Sequence, residues 1–253
     1  MPNRLFATLA ACALLSLTGC LRDPGPAERL DAYALEGIDV SRWQEEINWG
    51  AVAADGIDFA FVKASEGETL RDPQFDHNWA AAKAAGLTRG AYHFYRANVD
   101  PEAQAANFLA ALALEPGDLA PVVDVETRDG VSRAELVAGL QTFLLLVEVR
   151  TGVRPVVYTG QKFYYRHLAG HLDGYALWIA RYGDSAPSVA AGTELALWQY
   201  SDRGRVAGVR GHVDLNVFLG DREAFERLRV PGADAAAERS PSAAYWPTRR
   251  LAR

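Results

Sequence analysis

Short apolar runs and longer stretches with helical spacing alternate through the central part of the chain. Each apolar run is rich in β-branched and aromatic residues and is bounded by glycine, proline or polar residues, a pattern typical of buried strands. The sequence predicts eight such strands. They are Gly37–Ser41, Phe59–Ala64, Gly90–Tyr95, Pro121–Glu126, Pro155–Thr159, Ala176–Ala180, Leu195–Tyr200 and His212–Phe218.

The stretches between the strands have the spacing of amphipathic helices. The clearest predicted helices are Phe75–Ala85, Pro101–Leu114 and Ser132–Arg150. Ser132 and Glu135 form a capping box at the start of the last one. Eight strands with helices between most of them, within residues 37–229, predict a single irregular β/α barrel with fewer helices than strands. A doubly wound open sheet is the alternative fold.

The two ends of the chain have different compositions from the predicted barrel. Residues 1–19 resemble a secretory signal peptide, and the LTGC sequence that ends at Cys20 resembles a bacterial lipobox. We therefore expect lipid on Cys20, a tether over residues 20–36, and a domain exported to the cell envelope and anchored to a membrane at its periplasmic or cell-surface face. An ordinary secretory signal is the alternative. The composition of residues 230–253, rich in alanine, proline and serine, predicts a disordered tail that contains arginines.

Composition narrows the classes of function. Of 253 residues, 49% are hydrophobic and 23% are charged, which suits one globular domain with a sizeable core. The net charge of −6 becomes −7 when Arg4 is removed with the signal peptide, and it disfavours nucleic acid as a partner. Apart from Cys12 and Cys20 the chain has no cysteine. We expect a monomer without disulfides.

Polar residues recur where the predicted strands end. In a β/α barrel the active site lies at the C-terminal ends of the strands, so these residues are expected to converge. The series consists of Asp39, Lys63, Glu66, His93, Tyr95, Asp124, Glu126, Tyr158, Arg181, Tyr182, Gln199, Tyr200, Asp214 and Asn216.

Two carboxylates on the fourth predicted strand are the strongest catalytic candidates. Asp124 and Glu126 are two residues apart, so their side chains lie on one face of a strand with attachment points roughly 6.6 Å apart. Burial and mutual repulsion would raise the pKa of at least one carboxyl and create a proton donor beside a charged partner. A helix cap or a pair of surface salt bridges is the alternative interpretation.

Several other chemistries lack their motifs. No GxSxG, HExxH, GxGxxG or Walker sequence occurs, and the five histidines are scattered, so we expect no nucleotide cofactor and no metal. Carboxylate acid–base chemistry in a groove lined by aromatic rings remains, and that combination is typical of glycoside hydrolases. The candidate rings are Trp43, Tyr92, Tyr95, Tyr158, Trp178, Tyr182, Trp198 and Tyr200, of which Tyr92 and Trp178 lie in apolar runs that also suit a barrel core.

Seven ordered motifs between Gly37 and about Leu228 resemble family 25 glycoside hydrolases, the Chalaropsis-type lysozymes. They are GIDVSRWQ at 37–44, FVKASEG at 61–67, GAYHFY at 90–95, VDVE at 123–126, LWIARY at 177–182, WQY at 198–200 and VDLN at 213–216. The resemblance implies an irregular β/α barrel without a metal. It also implies cleavage of the β-1,4 bond between N-acetylmuramic acid and N-acetylglucosamine in peptidoglycan.

The resemblance places the active site on Asp39, Asp124, Glu126 and Asp214. We expect Glu126 to be the general acid and Asp124 to remain ionised as a stabilising or orienting group. Retention, inversion and attack by the substrate acetamido group all remain open. A chitinase-like glycosidase and a non-catalytic peptidoglycan-binding lipoprotein are the rival functions. The predicted substrate-binding residues are Lys63, Glu66, Tyr92, Tyr95, Tyr158, Trp178, Tyr182, Trp198, Gln199 and Asn216.

Overall fold

Nine strands form one sheet in the computed structural model, which describes residues 29–30 and 32–232. Their bounds match the eight predicted strands closely and add one short strand, β3, which is too brief for its hydrophobic pattern to be recognised. The strands are β1 (Glu36–Val40), β2 (Phe59–Glu66), β3 (Leu70–Arg71), β4 (Thr88–Phe94), β5 (Val122–Asp124), β6 (Val156–Gly160), β7 (Leu177–Ala180), β8 (Leu195–Gly204) and β9 (Val213–Phe218).

The sheet closes on itself, which confirms the barrel and excludes the open sheet. Strand order is β1-β9-β8-β7-β6-β5-β4-β2-β3, and β1 also pairs with β2, so eight strands complete the ring while β3 extends β2 as a hairpin. All neighbours in the ring are parallel except β9, which runs antiparallel to both β1 and β8. The antiparallel β9 brings its first residues, including Asp214, to the mouth formed by the C-terminal ends of the other strands.

The predicted helices form with boundaries that their sequences explain. Pro101 suits the first turn of its helix, where the backbone has no N–H partner to lose, and Asp100 caps that turn. The capping box of Ser132 and Glu135 is present, and Gly152 ends that helix in the left-handed conformation with φ of 70°. The helices are α1 (Trp49–Ala54), α2 (Phe75–Ala84), α3 (Pro101–Ala111), α4 (Arg133–Thr151), α5 (Gln161–Phe163) and α6 (Arg222–Arg227), with a 3-10 turn at Arg42–Gln44 and a π-helical turn at Tyr164–Leu168.

Aromatic side chains fill the interior of the barrel. Phe59 and Phe61 point inward from β2, and Phe61 stacks on Trp178 of β7 with ring centroids 4.6 Å apart. Gly90 makes room for this packing, since a Cβ atom there would lie 2.5 Å from the Phe61 ring. Helices α2, α3 and α4 cover the outside of the parallel strands over a second, larger core. The closed interior gives the mouth of the barrel a rigid floor.

The chain packs against the barrel before the predicted boundary at residue 37. Leu35 is buried, and Tyr33 lies edge-on to Trp198. Arg29 pairs with Glu36 and donates to the backbone oxygen of Asp55 at 2.6 Å. Arg29, Tyr33 and Leu35, which fall within the expected tether over residues 20–36, thus contact the barrel.

A buried ion-pair network closes the opposite end of the barrel from the mouth. Arg89, at the start of β4, donates two hydrogen bonds to Asp118 at 2.8 and 3.2 Å and one to the backbone oxygen of Trp79. Its guanidinium also lies 4.0 Å from the centre of the Trp79 ring and contacts Glu115. Since both Arg89 and Asp118 are buried, each depends on the other to offset its loss of hydration.

We predict that Arg89→Met lowers the free energy of unfolding by about 3–5 kcal/mol, because it leaves the Asp118 carboxylate buried and unpaired. Urea denaturation followed by fluorescence measures this change. Lys83→Met is the matched control, since Lys83 pairs with Glu115 at an exposed position and should matter much less. Equal losses for the two variants would contradict the importance given to the buried pair.

Candidate active site

The mouth of the barrel holds a pocket of about 280 Å³ that brings together all four predicted catalytic carboxyls. Asp39 is the second-last residue of β1, and Asp214 is the second residue of β9. Asp124 ends β5, and Glu126 follows two residues later. Lys63 is the only lysine or arginine among the residues that line the pocket. Four carboxyls share one small space with a single positive charge.

Asp39 is held in place by two amide side chains. Its Oδ2 accepts hydrogen bonds from Nε2 of Gln199 and from Nδ2 of Asn216, both at 2.8 Å. Asn216 in turn accepts a hydrogen bond from the indole Nε1 of Trp178 at 2.9 Å. Trp178 lies in the barrel core, so the core holds the Asn216 amide in position to donate to Asp39. Burial raises the pKa of Asp39, and the two amide donors oppose that rise by favouring its charged form.

Asp214 lies directly opposite Asp39 in the antiparallel pairing of β1 and β9. Burial, followed by the charge of Asp39, raises the pKa of Asp214 to about 9. With a pKa of about 9, Asp214 is the protonated partner near neutral pH, and the two amide donors favour the charged form of Asp39. Like charges this close cannot both be ionised without a large cost.

Asp124 and Glu126 lie on the same side of the backbone, as the sequence predicted, although β5 ends at Asp124. The backbone stays extended past the strand end, because the Val125 amide donates to the Tyr158 oxygen at 2.9 Å. Val125 is buried in the outer core, and the carboxyls on either side of it line the pocket. Asp124 is buried, whereas Glu126 lies at the rim and keeps contact with solvent.

The protonation of this second pair differs from the expected one. Burial raises the pKa of Asp124 well above its usual range, and the charge of Glu126 raises it further. Burial also raises the pKa of Glu126, but a hydrogen bond with Asp124 opposes that rise. One oxygen of Asp124, Oδ1, is buried without a hydrogen-bond partner among the described residues. In the free pocket, burial and the neighbouring charge therefore favour the protonated form of Asp124, whereas the sequence predicts an ionised Asp124.

Lys63 extends from β2 into the pocket, and its ammonium group is oriented by an ion pair with Glu66, which lies outside the pocket lining. The Lys63 ammonium donates to Glu66 at 2.7 Å, and Arg96 contacts the other oxygen of the same carboxylate. Burial opposes ionisation of Glu66, but the hydrogen bonds from Lys63 and Arg96 leave its pKa lowered. Glu66 was predicted to bind substrate. It lies outside the pocket lining, where it positions Lys63.

Aromatic side chains line the pocket at two depths. Trp178, Tyr92 and Tyr158 form its lower wall, and the Tyr158 hydroxyl donates to Gln199 at 2.8 Å. Tyr182 and Trp43 lie at the rim and are 55% and 75% exposed, respectively. Exposed rings beside an acidic pocket offer flat apolar surfaces to a ligand that enters from solvent.

Three other residues predicted to bind substrate lie away from the pocket. Tyr95 is buried against Phe143 of α4, and Trp198 is buried in the outer core, where its indole donates to the Arg181 backbone at 2.7 Å. The prediction that these two rings contact substrate is wrong, because both point out of the barrel. Asn216 is buried and acts through its hydrogen bond to Asp39.

Ser41, Gln44 and Phe94 also line the pocket, although none of them was predicted as a site residue. Ser41 caps the 3-10 turn at Arg42–Gln44, and Gln44 completes a capping box with it. This turn presents Trp43 to solvent above the pocket. The Ser-x-x-Gln spacing is the sequence signal that could have identified the turn.

The described residues contain no helix that is long and apolar enough to cross a membrane. Within that same part of the chain, no three His, Cys, Asp or Glu side chains are arranged to hold a metal ion. Cys20 and residues 233–253, which make up most of the predicted tail, lie outside the described residues.

Comparison with known proteins identifies relatives of this chain. A family model described as "Glycosyl hydrolases family 25" matches residues 38–209. An Escherichia coli protein described as "Uncharacterized protein YegX" is 44% identical over 77% of this chain and 73% of its own length. Lysozyme M1 of Streptomyces globisporus is 36% identical over 78% of this chain and 73% of its own length. The crystal structure of a lysozyme from Streptomyces coelicolor aligns with a TM-score of 0.74 at 35% identity, covering 78% of this chain and 98% of that one.

We predict that Asp214→Asn stabilises the protein at alkaline pH while leaving its stability at pH 4 nearly unchanged. Asp214 has a pKa of about 9 in the folded protein, whereas an aspartate in an unfolded chain titrates near 3.9. The folded state thus retains a proton that the unfolded state loses, so stability falls as pH rises between these values. The neutral amide needs no proton and removes this loss.

Thermal unfolding at pH 4 and pH 8 measures the effect. Tm at pH 8 should rise by several degrees, since each kcal/mol shifts Tm by about 2–4 °C in a protein of this size. Asp184→Asn, at an exposed position, is the control and should leave Tm unchanged at both pH values. An Asp214→Asn effect of the same size at both pH values would contradict the raised pKa.

Proposed function

Because the chain belongs to glycosyl hydrolases family 25, we propose that it is a muramidase that cleaves the β-1,4 bond between N-acetylmuramic acid and N-acetylglucosamine in peptidoglycan. The observation that carries this proposal is the pocket in which Asp124 and Glu126 lie side by side at the mouth of the barrel. Paired carboxyls that hold one proton are the equipment that glycosidic hydrolysis requires. The lysozymes among its relatives support the same substrate.

Glu126 is our proposed general acid. Its rim position, with one side open to solvent, lets its carboxyl reach the oxygen of a glycosidic bond laid across the pocket. The free pocket holds the pair's proton on Asp124, so the proton must pass to Glu126 before it reaches the leaving group. Because the two carboxyls interact, the proton can move from one to the other when the surrounding charge changes.

Substrate itself favours this transfer. As the glycosidic bond breaks, positive charge develops on the sugar ring, and a positive charge beside Asp124 stabilises its ionised form. Asp124 then becomes the stabilising carboxylate that the sequence analysis expected, but only as the transition state is approached. This differential stabilisation is what accelerates the chemical step.

Asp39 and Asp214 have a different proposed role, in positioning the substrate. Asp39 is fixed by Gln199 and Asn216, and the Asp214 proton is available for donation to a sugar hydroxyl or acetamide oxygen. Together they offer an acceptor and a donor within one paired unit. Sugar hydroxyls need both types of partner when they are buried.

The aromatic residues suggest where the glycan runs. Trp43 and Tyr182 at the rim can stack on the apolar C–H faces of sugars, while Tyr92, Tyr158 and Trp178 shape the deeper wall. Lys63, neutralised in part by Glu66, supplies a donor at the floor. We assign these side chains to substrate binding.

The direct test of the proposed reaction is mass spectrometry of the products from a defined muropeptide polymer. Cleavage by a muramidase leaves N-acetylmuramic acid at the new reducing end. N-acetylglucosamine at that end would identify a glucosaminidase, and an unchanged polymer would indicate a binding protein without turnover.

We predict that Glu126→Gln lowers the rate of wall hydrolysis by at least about 10² to 10⁴-fold, the usual contribution of general acid catalysis, while the fold remains intact. The amide has nearly the same shape but cannot supply the proton. Glu194→Gln, which changes an exposed glutamate away from the pocket, should retain parental activity. Activity of Glu126→Gln within a few-fold of the parent would exclude Glu126 from the acid role.

The location of the enzyme remains our proposal from the sequence alone. We propose that Cys20 carries lipid, that the enzyme acts near a membrane of the cell envelope, and that it works as a monomer, since one chain supplies all four carboxyls. Cys20→Ser is then expected to release the protein from the membrane fraction, because buried acyl chains contribute about 0.8 kcal/mol per methylene. Partitioning into a detergent phase measures this. Equal partitioning of parent and variant would contradict the anchor.

A further inference from the structure

A second groove continues from the catalytic pocket across the C-terminal ends of β6 and β7. It encloses about 990 Å³ and shares Glu126, Tyr158 and Tyr182 with the catalytic pocket. Its far wall is built by α5 and the π-helical turn. The groove is therefore an extension of the proposed active site and lies directly beside the proposed general acid. Five further side chains line the groove and bear on its ligand, namely Gln161, Lys162, Tyr165, Arg166 and Arg181.

The charge of this groove is opposite to that of the pocket it joins. Lys162 and Arg166 are exposed, and neither forms an ion pair with any carboxylate in the described part of the chain. Arg181 donates from its guanidinium to the backbone oxygens of Ser185 and Ala186, and it pairs with no carboxylate among the residues that the structure describes. Unpaired cations are grouped here even though the chain has a net charge of −6.

Two further arginines extend the positive surface behind the π-helical turn. His167 lies next to Arg166, and its pKa is lowered first by burial and then by the charges of Arg128, Arg166 and Arg133. Arg133 and Arg128 donate to backbone oxygens, not to carboxylates. The surface around the groove thus attracts anions and would repel a cationic ligand.

The groove also offers hydrogen-bonding and apolar contacts. Oε1 of Gln161 is buried without a hydrogen-bond partner among the described residues, so it can accept from a ligand N–H. Tyr165 is 47% exposed and Tyr182 is 55% exposed, which gives the groove ring surface as well as charge. Cations, an unused amide acceptor and exposed tyrosines suit a short acidic peptide.

We propose that this groove binds the acidic peptide that peptidoglycan carries on the lactyl group of N-acetylmuramic acid. This inference rests on the proposed function, because a glycan strand placed with its scissile bond at Glu126 projects the peptide of the adjacent muramic acid close to the active site. Peptide carboxylates would pair with Lys162 and Arg166, and a peptide N–H would donate to Gln161. Since the peptide is covalently attached to the bound glycan, even weak contacts act at high effective concentration.

The test compares two substrates prepared from one peptidoglycan, either with its peptides intact or after an amidase has removed them. Exposed ion pairs are individually weak. For Lys162→Gln/Arg166→Gln we therefore expect kcat/KM on the peptide-bearing substrate to fall by about three- to tenfold. On the peptide-free glycan the change should be less than about twofold. Added salt should reduce the parent's preference for the peptide-bearing substrate, because exposed charges are screened.

Arg150→Gln/Arg222→Gln is the matched control. It removes two exposed cations at the opposite end of the barrel and should leave both rates unchanged. If the groove variant loses activity equally on both substrates, or on neither, the peptide-binding groove is wrong while the muramidase function stands. If the parent cleaves neither substrate, the proposed function is wrong and the groove proposal falls with it.

Discussion

The crowding of four carboxyls, two of them buried, beside one lysine is the constraint on which the site depends. Two carboxylates about 5 Å apart repel each other by about 3 kcal/mol at an effective dielectric constant near 20, and loss of hydration adds to that cost. The pocket meets the constraint by pairing the carboxyls, Asp39 with Asp214 and Asp124 with Glu126, and the raised pKa values favour a proton on one member of each pair. A pocket built in this way keeps a proton available at a pH where isolated carboxyls have none.

The barrel fixes which member of each pair keeps the charge. Trp178 stacks on Phe61 in the barrel interior and donates to Asn216, which donates to Asp39. Asp39 thus receives its hydrogen bonds from residues that cannot move without disturbing the core, whereas no amide side chain among the described residues donates to Asp214. The same principle separates Asp124, buried at the end of β5, from Glu126 at the rim. The packing of the barrel core therefore determines which carboxyls are protonated, and so which of them can act as a proton donor.

Much of the fold could be predicted from the sequence, because buried parallel strands and capped helices leave local signals. The face on which each ring lies could not. Trp178 and Trp198 both occupy apolar runs, but barrel strands are buried on both sides, so their sequences lack the alternation that would separate inside from outside. The paired spacing of Asp124 and Glu126 correctly predicted a shared face. It could not indicate which carboxyl is deeper, since that depends on where β5 ends and how Val125 packs.

Infrared difference spectroscopy of the free enzyme near pH 7 counts its protonated carboxyls and so tests the proton sharing directly. Two protonated groups are expected, one of which disappears in Asp124→Asn and the other in Asp214→Asn. Absence of any protonated carboxyl at that pH, with all four titrating below pH 5, would contradict the proton-sharing pairs on which the mechanism rests.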